Sequence, residues 1–407
     1  MLRHLGMRQY ALITGSYWAF TLTDGALRML VVLYFHQLGY SPLDIALLFL
    51  FYELFGVVTN LLGGWIAARV GLAATLIAGL LLQVAALAML LVDEKFLTVA
   101  YVMVAQAISG IAKDLNKLSA KSSVKLMAGQ SQGRLYRWVA WLTGSKNALK
   151  GMGFFAGSAS LALVGFTTSI ALMTLTLLGV AVAAVALLDR DMGKASFKPK
   201  FSTLWSKSAK INRLSAARLF LFGSRDVWFV VALPVFLQTQ LGWSGVSVGA
   251  FLAAWIMGYG AVQAMAPTIT GMTKKPPPDG STAVIWGLAL VAVPVGIAIA
   301  LMQPLNPDLV LIIGLGIFGF VFAMNSAVHS YLIVSYADAD GVSLDVGFYY
   351  MANAAGRLLG TVCSGWIYQA YGLAACLLTS SAFVVCVVLV SACLPRGNQS
   401  VPGKTDQ

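Results

Sequence analysis

Lysines stand at 113, 117 and 121, four residues apart, and again at 146 and 150. Four-residue spacing puts each set on one helical face. Both sets lie between Ser109 and Gly157, in a stretch bounded by apolar segments, in a chain of which only 10% is charged. A charged side chain at the centre of a bilayer costs about 2.5–3.5 kcal/mol on insertion scales. Cations placed there face a cavity, a counter-ion or an anionic passenger.

Lys146 and Lys150 are the sharpest case. Their helix starts near Leu135, which puts Lys146 about 16 Å along it, too deep to reach either surface easily. Two like charges one turn apart repel, and no acidic residue occurs in that helix. Asp114, on the preceding span, is the nearest compensation in sequence. Two readings are open: lysines satisfied by carbonyls and Asp114, or a cationic pocket. Gly144, Gly151 and Gly153 flank the pair and allow close helix approach. Lys121 reads as interfacial, where topology alone accounts for it.

Other buried charges extend the set. Asp24 and Arg28 share a face of the first span, either as a self-neutralising pair or as pocket residues. Arg225 and Asp226 are adjacent in the seventh span and point about 100° apart, which predicts different partners. Arg357 lies mid-span in the eleventh helix, one turn after Asn353, with no acidic residue within a turn. Arginine offers a planar fork for phosphate or carboxylate, and lysine a point charge. The expected anion site therefore draws on Arg28, Lys113, Lys117, Lys146, Asn147 and Lys150 in the first half. From the second half it draws on Arg225, Asn353 and Arg357. Asp24, Glu53, Asp114, Asp226 and His329 are the titratable groups able to couple protons or pair charge. Exchange or facilitated export without a proton is the alternative.

The elements that must position these residues are membrane helices. The chain has 407 residues, 59% of them hydrophobic, with a mean hydropathy of +0.82. Apolar runs of about 20 residues recur, too long for barrel strands. We place twelve spans, near 10–36, 44–68, 72–92, 96–121, 135–164, 167–189, 214–240, 245–271, 282–303, 308–335, 343–369 and 372–394. Even-numbered connections are basic: Arg69; Lys125 and Arg134; Arg190, Lys194, Lys198, Lys200, Lys207 and Lys210; Lys274 and Lys275. Odd-numbered ones are nearly free of basic residues apart from Lys95, and the tenth, around Asp338 and Asp340, is acidic. Both termini are thus expected to be cytoplasmic. Most of the +12 net charge follows from topology, so no nucleic-acid partner is implied. The cysteines at 363, 376, 386 and 393 lack metal-ligand spacing and read as packing residues.

The sixth connection divides the chain into halves, 1–190 and 214–395, with a basic linker at 191–213 and a tail at 396–407. Leu38-Gly39-Tyr40-Ser41 follows the first span, and Leu241-Gly242-Trp243-Ser244 follows the seventh, and each span carries a charged pair before its marker, Asp24 with Arg28 and Arg225 with Asp226. This repeat fits two related six-helix halves. Gly64, Ala67, Arg69 and Gly71 resemble the cytoplasmic loop motif of the major facilitator superfamily, G-x-L-A-D-R-x-G-R. Ala68 stands where the acidic residue is usual, and Leu72 where the final basic residue is. The fold expected is an all-α membrane protein of that superfamily.

Three strings carry a narrower resemblance: Asp24-Gly-Ala-Leu-Arg28-Met-Leu, Ser109-Gly-Ile-Ala-Lys113-Asp114-Leu-x-Lys117, and Thr143-Gly-Ser-Lys146-Asn147-Ala-Leu-Lys150-Gly. They resemble ArsJ-type organoarsenical efflux permeases over nearly the whole chain. That resemblance implies export of 1-arseno-3-phosphoglycerate across a bacterial inner membrane, giving arsenate resistance. It also implies a functional partner, the glyceraldehyde-3-phosphate dehydrogenase that makes the ester. An ester with a phosphate and an arsenate end suits five or six cations, and pentavalent arsenic needs no thiol. No Walker motif, metal motif or catalytic dyad is visible, so a secondary transporter without cofactor, rather than an enzyme, is expected. The alternative is an organophosphate or organic-anion transporter or antiporter of the same fold. A multidrug exporter of lipophilic cations would want acidic and aromatic linings instead.

Overall fold

The computed structural model describes residues 2–40, 48–128, 132–189, 192–194, 208–270, 277–338 and 341–396. Ser41, Arg190, Lys198, Lys200, Lys207, Lys274, Lys275 and Asp340, named above, lie outside the described residues.

The helices are α1 (Leu2–Gln37), α2 (Leu50–Val70), α3 (Leu72–Met89), α4 (Val99–Ala128), α5 (Gln132–Val164) and α6 (Phe166–Leu187). They continue as α7 (Ala209–Phe229), α8 (Ala232–Thr239), α9 (Gly245–Ile269), α10 (Gly280–Leu301), α11 (Pro307–Tyr336) and α12 (Val342–Ser391). Among the described residues the chain is otherwise loop and one short 3₁₀ turn at Glu94–Phe96. Side-chain caps start several helices: Ser244 accepts from Ser247 N–H, Asn306 precedes Pro307, and Asp279 forms a capping box with Thr282.

Two breaks explain how these elements make twelve crossings. Pro234 lacks an N–H and its ring opposes the carbonyl four residues back, so the seventh span kinks between α7 and α8. The freed Ala232 N–H donates to Ser364 Oγ at 3.1 Å. Gly372, at φ 76° and ψ −176°, breaks α12 into two crossings, as a 50-residue helix would be far longer than a bilayer. Nine stretches of the described residues are long and apolar enough to cross a membrane by composition. The fourth and fifth crossings, α4 and α5, carry the lysine stretch instead.

The internal repeat has a structural counterpart. Tyr40, after the first span, donates from its hydroxyl to Leu97 O, just before the fourth span. Trp243, after the seventh, donates from its indole to Asp308 at the start of the tenth. Equivalent aromatics thus tie equivalent helices in each half.

Within the first half, α1 packs on α5, α3 on α4 and α6, and α2 on α4; in the second, α12 packs on α7 and α10, and α9 on α11. The halves meet along α5–α9 and α2–α12. At both seams glycine brings backbones together: Gly144 against Gly260 and Ala264, and Gly64 against Ser343 and Gly347. Ser343 Oγ donates to Gly64 O at 2.9 Å, and Lys125 Nζ to Ser335 O at 3.0 Å. The rings of Tyr136 and Tyr331 lie 5.0 Å apart. These contacts seal the face that carries the N-terminal end of α1 and the C-terminal end of α12. There one apolar core joins both halves, with Val124, Leu135 and Val139 meeting Val328, Leu332 and Val346.

A side chain at Gly144 would meet the backbone of Gly260 and Ala264. Overpacking of this kind costs about 1–3 kcal/mol, a shift of about 5- to 150-fold in a two-state equilibrium. Gly144→Val is therefore expected to open the sealed face. Spin labels on Arg134 and Asp338, read by pulsed dipolar spectroscopy, should move apart relative to the parent protein; unchanged distances would refute this.

Candidate anion site at the centre of the two halves

Long basic side chains of α1, α4, α5, α7 and α12 converge with Glu53 of α2. Arg28 Nη2 donates to Glu53 Oε1 at 3.2 Å, and Arg357 Nη2 donates to the same oxygen at 3.0 Å. Lys113 Nζ lies 4.0 Å from Glu53 Oε2 and 4.0 Å from Asp114 Oδ2. Lys117 Nζ lies 2.5 Å from Asp114 Oδ1. Lys150 Nζ is 3.9 Å from Asp24 Oδ2. In the second half, Arg225 Nη2 is 2.5 Å from Asp226 Oδ1, and Arg357 Nε donates to Asp226 Oδ2 at 3.2 Å. Arg357 thus reaches a carboxylate of each half.

Tyr52 organises the first-half wall. Its hydroxyl donates to Asp24 Oδ1 at 2.7 Å. Its ring lies 3.7 Å from Lys113 Nζ and 4.9 Å from Arg28 Cζ, within cation–π range. Lys117 lies 4.5 Å from the ring of Tyr350, on the opposite half.

Lys146 differs from the rest. Among the described residues it makes no hydrogen bond or ion pair, and its electrostatic neighbours are the cations Lys117, Lys150, Arg357 and Lys113. The cluster sets seven cations, Arg28, Lys113, Lys117, Lys146, Lys150, Arg225 and Arg357, against Asp24, Glu53, Asp114 and Asp226. With all groups ionised, three positive charges are left over. A polyanion entering this space supplies what the protein does not.

Several sequence expectations are corrected. Arg225 and Asp226 pair with each other despite diverging Cα directions, because the arginine side chain is long enough to fold back. Asp24 and Arg28 do not pair; Arg28 goes to Glu53 and Asp24 to Tyr52 and Lys150. Lys150 gains Asp24 because α1 and α5 approach closely where Gly25 meets Lys150 O and Gly153 Cα. Asp114 neutralises Lys117 rather than Lys146. Lys121 is not interfacial: it is 3% exposed, and its ammonium bonds Thr143 Oγ1 and Val139 O. Arg69, of the loop motif, lies over the Trp65 ring at 4.7 Å.

Two further expected residues, Asn147 and Asn353, belong to a second, hydrogen-bonded network. Asn147 Nδ2 donates to Gln263 Oε1 at 2.7 Å, crossing between the halves. Gln263 Nε2 donates to Ser326 Oγ at 3.0 Å. Arg218 donates to Ser326 O and Oγ through Nη1 and to Asn353 Oδ1 through Nε at 2.9 Å. Arg218 escaped the sequence reading because it sits near the start of its span. Its signal was a shared face with Phe222 and Arg225, at i, i+4 and i+7. Among the described residues no carboxylate pairs with it; Phe222 covers it at 4.0 Å. His329 is fully buried, and among the described residues neither ring nitrogen is hydrogen-bonded; Arg218 is the charge that acts on it.

Cys376 is buried, consistent with packing, whereas Cys393 is exposed; all four cysteines are free thiols. A separate groove of 540 Å³ between α10 and α11, lined by residues such as Gly296, Ile297, Leu309 and Ile313, is apolar. It offers an anion nothing.

The Major Facilitator Superfamily profile matches residues 13–293. Among solved structures, the chain is similar to the human organic anion transporter MFSD10 (TETRAN). That match has 15% identity, covers 95% of this chain and 99% of that one, and has a TM-score of 0.75. It is also similar to the E. coli fucose:proton symporter FucP, with 12% identity, 94% and 97% coverage, and a TM-score of 0.71. A structure of FucP in the outward conformation matches at 10% identity, 94% and 97% coverage, and a TM-score of 0.68. Among curated proteins none matches the sequence. With the profile spanning well over half its length and two six-helix halves around a central charged site, the chain belongs to the major facilitator superfamily, a family of transporters rather than enzymes.

Proposed function

We propose that this protein exports a multiply charged phosphorylated organoarsenical, 1-arseno-3-phosphoglycerate, by alternating access of its two halves. The observation that carries the reading is the central cluster, whose cations outnumber its carboxylates by three. Phosphate and arsenate ends would be held from opposite walls, by Lys113, Lys146 and Lys150 on one and Arg225 and Arg357 on the other. The resemblance of the three lysine- and arginine-bearing strings to organoarsenical permeases supplies the identity of the anion. On this reading the sealed face is cytoplasmic, the membrane is a bacterial inner membrane, and both termini are cytoplasmic. Residues 1–190 and 214–395 are the moving halves, joined by 191–213 and followed by the tail 396–407. A glyceraldehyde-3-phosphate dehydrogenase acting on arsenate supplies the passenger.

The test uses everted membrane vesicles. Uptake of arsenic is expected when the dehydrogenase, its substrate, its nicotinamide cofactor and arsenate are all present outside. Uptake from arsenate alone would sink the proposal. A second reading, a carrier of organic phosphates, draws on the similarity to a solved organic anion transporter. It predicts that 3-phosphoglycerate without arsenic is taken up as fast as the ester.

A further inference from the structure

The four carboxylates of the cluster are not equivalent. The side chains of Asp226, Asp114 and Asp24 are 0%, 2% and 6% exposed. Each is short and fixed by a close partner: Arg225, Lys117 and Tyr52 respectively. Glu53 is 30% exposed and carries the longer side chain. Its Oε1 accepts from Arg28 and from Arg357, and Lys113 flanks Oε2. Two guanidinium groups and an ammonium around one carboxylate form the environment that a phosphate or carboxylate of a passenger would seek. Arg28 and Lys113 belong to one half and Arg357 to the other, so Glu53 also ties the halves across the pocket.

Resting on the anion-export reading above, we propose that Glu53 is an internal counter-anion: it fills the anion subsite of the empty carrier, and an oxyanion of the passenger displaces it. Being partly solvated, Glu53 can swing aside with little desolvation cost, whereas the three aspartates cannot. An unloaded pocket with still more unpaired cations would resist occlusion, because closing it removes water from like charges. Glu53 relieves that in the empty carrier, which can then return without cargo. The protein therefore performs net export rather than obligatory one-for-one anion exchange. Glu53 acts by competing for Arg28, Lys113 and Arg357, as a positioning residue rather than a contact to the passenger.

The experiment uses the full chain in proteoliposomes, with labelled ester generated outside by the dehydrogenase and arsenate. Net uptake is measured into empty vesicles, and exchange into vesicles holding the same unlabelled mixture. Glu53→Gln is expected to lower the half-saturating ester concentration about tenfold, the worth of one charge-assisted contact. Its net uptake should fall about tenfold while exchange persists, the persistence showing that the variant is folded. If the glutamine variant fails to insert, Glu53→Asp, which keeps the charge on a shorter arm, should lie between it and the parent. The inference is overturned if either inserted variant keeps parental half-saturation and net uptake, or loses exchange together with net uptake. Failure of the parent protein to move the ester in either mode would instead sink the export reading itself.

Discussion

Arg357→Gln should abolish transport and lower stability together. The guanidinium of Arg357 holds Glu53 at 3.0 Å and Asp226 at 3.2 Å, one from each half. Removing one partner of a buried pair can cost about 3–5 kcal/mol when the other charge is left alone. Here the penalty is smaller. Asp226 keeps Arg225, Glu53 keeps Arg28, and a third of the Arg357 side chain is solvated. We expect a loss of about 1–2 kcal/mol, measurable by thermal unfolding in detergent. Transport should fall at least about hundredfold, because both the bridge between the halves and the forked donor are gone. Arg357→Lys should recover more stability than transport, since a point charge replaces a fork. Uptake within about threefold of the parent protein would refute the role assigned to this residue.

Lys146→Gln should give the opposite split. Lys146 has no hydrogen bond or ion pair among the described residues, and its electrostatic neighbours are cations. Its removal strands no carboxylate, so stability should hold or rise slightly as like-charge repulsion is relieved. Transport should drop about ten- to hundredfold, the worth of one charge-assisted contact to an oxyanion in a partly dry pocket. Lys150→Gln is the matched control, because it also deprives Asp24 of its cation at 3.9 Å. It should lose both stability and transport. Parental transport by Lys146→Gln would mean that water in the cavity, and not the passenger, satisfies that ammonium.

These two residues also show where sequence reasoning reached and where it stopped. Lys146 stood out because its helix holds no acid and its depth forbids escape to either surface. Among the described residues it has no hydrogen bond or ion pair. Arg357 stood out because it lies mid-span with no acidic residue within a turn, yet both of its partners come from other helices, Glu53 of α2 and Asp226 of α7. Arg225 pairs with its neighbour Asp226 because an arginine side chain reaches further than Cα directions alone imply. Arg218, which the sequence analysis did not single out, lies near the start of its span, where a basic residue is usual at the membrane surface. In fact a seam between α7, α11 and α12 covers it.

The sequence by itself determined the crossings, the two-half plan and the residue types at the centre. Hydropathy and helical periodicity are local, and a cation at mid-span has few uses. The boundary placed between 369 and 372 falls beside the break at Gly372, whereas the break before Pro234 falls inside a seventh span drawn unbroken over 214–240. Only the tertiary structure decided which charges meet. Ion pairing depends on which helices pack and how deeply each is set, and glycine contacts such as Gly25–Gly153 and Gly144–Gly260 fix that far from the charges in sequence. It also separated three buried aspartates from the partly exposed Glu53. The surplus lysines belong to a cluster with an excess of three positive charges, one ammonium without a partner among the described residues and one partly exposed carboxylate.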